Sequence, residues 1–392
     1  MRVLGQATHS LKLILSGLTI QPLPTLASLS FFRVSHAALK TQLNLWRSEL
    51  PHIVPYYAVK CNNDPVLMKW MRDLYPAMGF DCASEREINE VLPLVASPRQ
   101  QIIYAQPCKK VEDMKVAQAR GVELTVTDSV EEVAKLGRAG WRGEVLVRLL
   151  VRDAGSKQPF GKKFGAPLEW LPDMYKTAAV YGLKMRGFSF HVGSECMAPQ
   201  QYASAIEDCG TASDVAATYG FPTEVIDIGG GFLPAAEPFK AVAAAIRDAG
   251  TALKCQPKRW IAEPGRFLAA PTHTLYTTVI GKKPVWPPAV AGAATQRVTI
   301  DESVYGAFSN IPFDHQTPHF ERMRPAAAGE VPRPTVLFGR TCDSGDCLGE
   351  AVPLLEVEEG DVLRVADMGA YTTVTASEFN GFPKAPKFYE LQ

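Results

Sequence analysis

At 392 residues, 46% of them hydrophobic and 21% charged, the chain exceeds one ordinary core and fits two domains, or a barrel with an appendage. Lysine plus arginine and aspartate plus glutamate number 41 each. That neutrality removes the usual electrostatic reason for a nucleic-acid or membrane partner and points to small-molecule work.

Eight cysteines (Cys61, Cys82, Cys108, Cys196, Cys209, Cys255, Cys342 and Cys347) are scattered without a CxxC pair. This spacing argues against a disulfide framework or a structural metal site, and for a reducing, cytoplasmic setting. The first stretch has no acidic residue before Glu49 and contains the apolar run LKLILSGLTI, features shared with targeting peptides. Gly17, Pro22 and Pro24 interrupt that stretch, and it is too short to span a bilayer. It reads better as an irregular lead-in to a first strand, SLSFFRV.

From about residue 40 to 275 short apolar runs alternate with helical periodicity. The runs are PYYAVK (55–60), GFDCAS (79–84), QIIYAQ (101–106), ELTVTD (123–128), EVLVRLLV (144–151), MRGFSFHVG (185–193), EVIDIGG (224–230) and RWIAEPG (259–265). Helix starts follow several of them: Asp64 before Pro65, Ser84 with Glu87, and Ser129 with Glu132. Roughly eight strand–helix units are what a (β/α)8 barrel requires, and an open doubly wound sheet usually has fewer.

Beyond residue 275 the texture becomes β-rich: TLYTTVIGKKPVW, QRVTIDES, PTVLFGR, AVPLLEVEEGDVLRVAD and AYTTVTA read as strands between turns. PFDHQTPHFERMRPAAAGEVPRP reads as a long proline-rich connection. The expected organisation is a lead-in and strand over 1–38, a barrel over 39–275 and a β-rich domain over 276–392, which the first strand joins.

Working residues of such a barrel gather at the C-terminal strand ends. Lys60, Asp81, Arg148, His191, the Gly229-Gly230-Gly231 run and the pair Glu263 and Arg266 all fall there. Packing gives no reason for so much charge at those places. Lys60 ends PYYAVK, where apolar surroundings would favour the neutral amine that covalent chemistry with a carbonyl requires; a snorkelling lysine is the plainer reading. The three glycines let backbone N–H groups approach a phosphate, or simply make a tight turn. Glu263 and Arg266 either serve a ligand or form a local salt bridge. His191 sits on the sixth strand, facing either the barrel mouth or a helix. Cys342, beside acids in GRTCDSGD, is either a proton donor or an ordinary core thiol.

Taken together, PYYAVKCNN, FDCASEREI, KFGA, SFHVGS, DIGGGF, AEPGRF, VYGAFSN, TCDSGD and GAYTTV…FNGF occur in the order of one family. The sequence closely resembles the eukaryotic-type ornithine decarboxylases and their arginine- and lysine-decarboxylating relatives. These belong to the fold-type-III pyridoxal-phosphate group shared with alanine racemase, so an alanine-racemase-type barrel is implied.

By that resemblance Lys60 bonds the cofactor covalently, Glu263 pairs with its pyridine nitrogen and His191 stacks on its ring. Ser194, Gly230, Gly231, Gly265, Arg266 and Tyr371 would hold the phosphate end, and Asp81, Glu87 and Arg148 would support lysine and ring. Cys342 would return a proton from the neighbouring subunit of a head-to-tail homodimer. Asp343 of that subunit, Asp314 and Tyr305 would bind the distal end of the substrate. Two positions depart from the family pattern: Arg340 stands where proline usually precedes the threonine, and Glu195 follows SFHVGS where a small residue is common.

The resemblance implies decarboxylation of a basic amino acid, with L-ornithine giving putrescine. Arginine and lysine are the alternatives, and a non-catalytic binding homologue is the reading from another class. Diaminopimelate decarboxylases carry Cys-Glu where this chain has Cys342-Asp343, and they bind a distal carboxylate with arginine. VYGAFSNIPFD supplies Asp314 and no arginine, which favours a cationic distal group. Racemases use a tyrosine as second base and lack the Cys-Asp loop.

Overall fold

The computed structural model describes residues 30–285 and 296–391, so the targeting-peptide reading of the lead-in lies outside the described residues. Two compact units divide the chain: residues 40–268, and the N-terminal stretch through Leu39 together with Ala269 onward.

After β1 (Phe31–Ser35), which belongs to the second unit, the first unit contributes β2 (Ile53–Ala58), β3 (Gly79–Cys82), β4 (Ile102–Tyr104), β5 (Leu124–Thr127), β6 (Glu144–Arg148), β7 (Ser156–Gln158), β8 (Lys184–Ser189), β9 (Ser194–Cys196), β10 (Val225–Asp227) and β11 (Arg259–Ala262). Eight of these close into a barrel in the order β10-β11-β2-β3-β4-β5-β6-β8, every neighbour parallel. β7 and β9 form a separate antiparallel ribbon.

Parallel strands covered on both faces must be apolar along most of their length. Tyr56, Ile103, Leu124, Val126, Leu146, Val225 and Ile261 make one buried cluster. Around Trp46, on the helix His36–Glu49, pack the rings of Phe232, Phe239 and Phe267, with centroids 5.2, 5.6 and 5.7 Å away. The expected barrel is therefore present, with shorter strands than the apolar runs suggest. β6 stops at Arg148, and the rest of EVLVRLLV leaves the sheet.

The helix starts read from the sequence are in place. Asp64 Oδ1 accepts from the Val66 and Leu67 amides at 2.9 and 3.0 Å, with Pro65 opening the helix Pro65–Leu74. Ser84 and Ser129 accept from the amides of Glu87 and Glu132 at 3.3 and 3.2 Å. The Asp64 cap holds the helix that follows the Lys60 turn, so Asp64→Ala should cost about 1 kcal/mol of stability. An unchanged denaturant midpoint for that variant would show that the cap contributes nothing.

The second unit is built on β12 (His273–Pro284), which pairs antiparallel with β1, with β13 (Gln296–Ile300) and with β17 (Val362–Val365). β14 (Glu321–Arg322) adds to β17, while β15 (Arg333–Phe338) and β16 (Cys347–Leu354) extend the β13 side. β18 (Lys387–Glu390) runs parallel to β1, so the N-terminal strand does join the β-rich domain. Phe31 stacks on Tyr276 at 5.2 Å in a cluster with Val362 and Phe388. The second stretch of this unit begins at Ala269, where the sequence reading put 276. Gly369 allows the tie: its amide donates to Ala270 at 3.1 Å, and a Cβ there would lie 1.8 Å from the Ala269 oxygen.

One expectation for this unit is corrected. AYTTVTA is not a strand. The Thr372 and Thr375 hydroxyls donate back to the carbonyls of Met368 and Tyr371, at 2.7 and 2.9 Å, and Tyr371 has φ +54°. β-branched residues favour strands through their shape, but these hydroxyls close local turns instead. The proline-rich connection is anchored. Buried Arg322 makes a fork with Glu330 at 2.7 Å for each nitrogen and donates to the carbonyls of Arg324 and Pro325.

Candidate active site

The barrel delivers its polar residues to one rim. Lys60 lies in the single turn Val59–Cys61 just past β2, Asp81 near the end of β3, Arg148 at the end of β6 and His191 two residues past β8. The glycine run follows β10, and Glu263 follows β11.

Lys60 Nζ is 3.4 Å from Asp81 Oδ2, and the lysine side chain is 47% exposed whereas Asp81 is buried. The apolar seat expected for this lysine is thus not found. Asp81 points inward from a barrel strand and supplies an ion pair, which spacing along the chain could not foretell. Glu87 caps its own helix through the Ala83 amide at 2.6 Å. Burial, with Asp81 adding to it, raises the Glu87 carboxyl above its ordinary range. Arg148 lies over the Phe164 ring at 4.9 Å, which gives KFGA its part in the site. Gly265 must lack a side chain because a Cβ would meet Cys61 Cβ at 2.9 Å, under the Lys60 turn.

Glu263 is 8% exposed and Asp227 fully buried, and each carboxyl feels the other's charge. Burial first, then mutual repulsion and that of Asp81, pushes Glu263 well above the ordinary carboxyl range, and burial raises Asp227 as well. Asp227 Oδ1 accepts from the Gly229 amide at 3.0 Å. Asp227, which opens DIGGGF at the end of β10, is a site residue that was not among the sequence candidates, although its strand-end position is the signal that could have found it. His191 Nδ1 accepts from the Gly193 amide at 3.0 Å, which leaves Nε2 to carry the proton. Burial, reinforced by Arg148 and Lys60, holds this imidazole well below its ordinary value, so it is neutral at pH 7.

The glycine run is a close-approach site. Gly229 and Gly231 have φ of +63° and +98°, and a Cβ on Gly230 would stand 2.7 Å from the Glu263 oxygen and 3.0 Å from His191 Nε2. Tyr202 fixes the run by donating to the Gly230 carbonyl at 2.8 Å, and the Cys196 amide donates to Gly231 at 3.0 Å. Arg266 Nη2 donates to Ser194 Oγ at 3.2 Å, while its Nε lies 3.4 Å from Glu195. The local Glu263–Arg266 salt bridge considered from spacing does not describe the pair: Glu263 faces the charge of Asp227, and Arg266 turns to Ser194 and Glu195.

The set therefore has two characters. Asp81, Asp227 and Glu263 form an acidic group that suits a protonated ring nitrogen. Arg266, Ser194 and three glycines form a group that suits a phosphate. Pyridoxal phosphate, which carries both, fits these residues.

Within the second unit, Tyr305 donates its hydroxyl to Asp343 and stacks on Phe379 at 4.3 Å. That bond, with the Gly345 amide, holds the Asp343 carboxyl below its ordinary range. Cys342 is exposed, and its thiol lies 3.4 Å from Asn380 Oδ1. Asp346, another residue not singled out from sequence, clamps this loop by accepting from the Val304 and Thr341 amides at 2.9 and 3.0 Å. Arg340, one of the two departures, reaches Asp301 at 3.3 Å and covers the Phe382 ring at 4.6 Å, so it fastens the loop where proline would stiffen it. Asp314 is 4% exposed at the end of the helix Asn310–Asp314, and Tyr371 is half-buried.

Residues 36–270 match the family described as pyridoxal-dependent decarboxylase, pyridoxal binding domain. The chain is 36% identical to an ornithine decarboxylase of Caenorhabditis elegans, over 92% of this chain and 87% of that one. Among solved structures, an arginine decarboxylase of Paramecium bursaria Chlorella virus superposes with a TM-score of 0.87 at 32% identity, covering 97% and 100% of the two chains. A lysine/ornithine decarboxylase of Vibrio vulnificus complexed with putrescine gives 0.82 at 28% identity, over 98% of each chain. The chain belongs to the pyridoxal-dependent decarboxylases, and its cofactor is pyridoxal phosphate.

Proposed function

We propose that this enzyme decarboxylates L-ornithine to putrescine. The observation that carries the reading is the pairing of a two-character barrel rim, acidic at Glu263 and Asp227 and anion-binding at Arg266, with a separate acid, Asp343, held ionised by Tyr305. The first suits the cofactor and the second a cationic distal group. Similarity to enzymes named for ornithine, lysine and arginine supports a basic substrate.

The bound cofactor supplies an electron sink for the electrons that carbon dioxide leaves behind. Lys60 would provide the amine that holds the cofactor. Glu263, seconded by Asp227, keeps a proton at the ring nitrogen. His191, neutral and oriented by the Gly193 amide, would pack on the ring face without adding charge. Arg266, Ser194, Gly230, Gly231, Gly265 and Tyr371 hold the phosphate end, and Asp81 and Arg148 orient lysine and ring. The Cys342 thiol delivers the proton that replaces the carboxylate. Asp343, Asp314 and Tyr305 take the distal ammonium.

Cys342 and Asp343 act, in this reading, in the site of a second copy of a head-to-tail homodimer. A cytoplasmic setting agrees with eight free cysteines, and no described helix is long and apolar enough to cross a membrane.

Carbon dioxide release measured in parallel with ornithine, lysine, arginine and diaminopimelate tests the substrate. Ornithine should lead in kcat/KM by at least about tenfold. A lead for lysine or arginine would establish the second reading, with which the viral and Vibrio similarities also agree, and a lead for diaminopimelate would remove the cationic distal group altogether.

A further inference from the structure

β9 begins Ser194-Glu195-Cys196, and Glu195 has φ +52°, in the left-handed region that residues with a Cβ enter only at a cost. Glycine would enter it freely, so the sequence has placed an acid where the backbone asks for none. Contacts of the carboxylate offset that cost. Oε1 lies 3.4 Å from Arg266 Nε, and Oε2 lies 3.2 Å from Lys157 Nζ. Lys157 is brought there by the β7–β9 ribbon, in which Ser156 faces Cys196 and Gln158 faces Ser194, so that Lys157 stands opposite Glu195. Arg266 is 9% exposed, the Glu195 side chain 14% and the Lys157 side chain 40%. A largely buried carboxylate thus rests on the guanidinium that heads the phosphate cradle, with a more exposed cation on its other side.

We propose that Glu195 is a built-in rival of the cofactor phosphate for Arg266: its carboxylate occupies the guanidinium when no anion is bound and withdraws to Lys157 when phosphate docks. The proposal rests on the assignment of Arg266 and Ser194 to the phosphate. Two anions on one partly buried guanidinium repel each other with little screening from solvent. The phosphate prevails because it offers more charge and more acceptor oxygens, in better geometry for a guanidinium. Lys157 keeps the displaced acid paired. The consequence is a cofactor held less tightly than the same cradle would hold it with a small residue at position 195.

The whole 392-residue chain, stripped of cofactor, is titrated with pyridoxal phosphate, with pyridoxal, which lacks the phosphate, and with inorganic phosphate as competitor. Glu195→Gln and Glu195→Gly should each tighten pyridoxal phosphate and inorganic phosphate on the order of tenfold while leaving pyridoxal unchanged. The glutamine variant removes charge alone, and the glycine variant also relieves the backbone. Unchanged or weaker phosphate binding in both variants overturns the proposal and makes Glu195 a residue that orients Arg266 instead. Arg266→Ala, run beside them, should weaken both phosphate ligands and spare pyridoxal. If it does not, the phosphate assignment itself fails and the proposal falls with it, a result distinct from an inert Glu195 beside a working Arg266.

Discussion

Lys60→Ala should reduce carbon dioxide release by at least about a thousandfold and abolish the visible absorbance that covalently held pyridoxal phosphate gives the protein. The fold should survive. Lys60 stands in a short turn after β2 with its side chain 47% exposed, so truncation opens no cavity in the core. Its loss leaves Asp81 buried without that ion pair, which makes the thermal midpoint the necessary control. Exogenous small amines should restore a part of the turnover, because what is missing is an amine at one place and not the remainder of the site. A variant that keeps both absorbance and turnover would remove Lys60 from the covalent role, whatever the family. Absorbance lost with turnover intact would separate cofactor capture from catalysis and point to another base.

The barrel was legible because its signal is local and repeated. Runs such as ELTVTD and EVIDIGG need apolar side chains on both faces, and the caps at Asp64, Ser84 and Ser129 each bond within three residues. Strand-end placement of Lys60, His191 and Glu263 followed from the same periodicity. Partners could not be read that way. Glu263 and Arg266 are three residues apart, yet Glu263 interacts with Asp227 of the preceding strand, and Arg266 with Ser194 and Glu195 far earlier in the chain. Closing a barrel creates those neighbours, and nothing in local spacing encodes them. The Lys60–Asp81 pair failed to show for the same reason, being a contact between the turn after β2 and the neighbouring parallel strand β3. AYTTVTA misled in the opposite sense: its β-branched shape is a strand signal, but what its hydroxyls bond to decides the local structure.

Mixing Lys60→Ala with Cys342→Ala should recover about a quarter of the wild-type rate of amine formation, although each variant alone forms almost none. The expectation comes from where the chemistry sits. Lys60, Glu263 and His191 belong to the barrel, whereas Cys342 and Asp343 belong to the β-rich unit, on a loop fastened by Asp346, Arg340 and Tyr305 and with the Cys342 side exposed. An exposed thiol bonded only lightly to Asn380 is available to a neighbouring molecule. If each site draws its lysine from one chain and its thiol from the other, random exchange makes half of the dimers mixed. Each mixed dimer then has one site with both residues intact and one with neither, which gives the quarter. Amine must be the product measured, with pyridoxal phosphate in excess. Loss of the Cys342 proton should divert turnover toward aldehyde, leaving the substrate's nitrogen on the cofactor, while carbon dioxide release continues as fresh cofactor replaces the spent one. Co-purification through a tag on one variant establishes that exchange has occurred. Given exchange, a mixture no more active than its parents would mean that the two units of a single chain complete the site themselves. The homodimer, if present, would then serve stability and not chemistry.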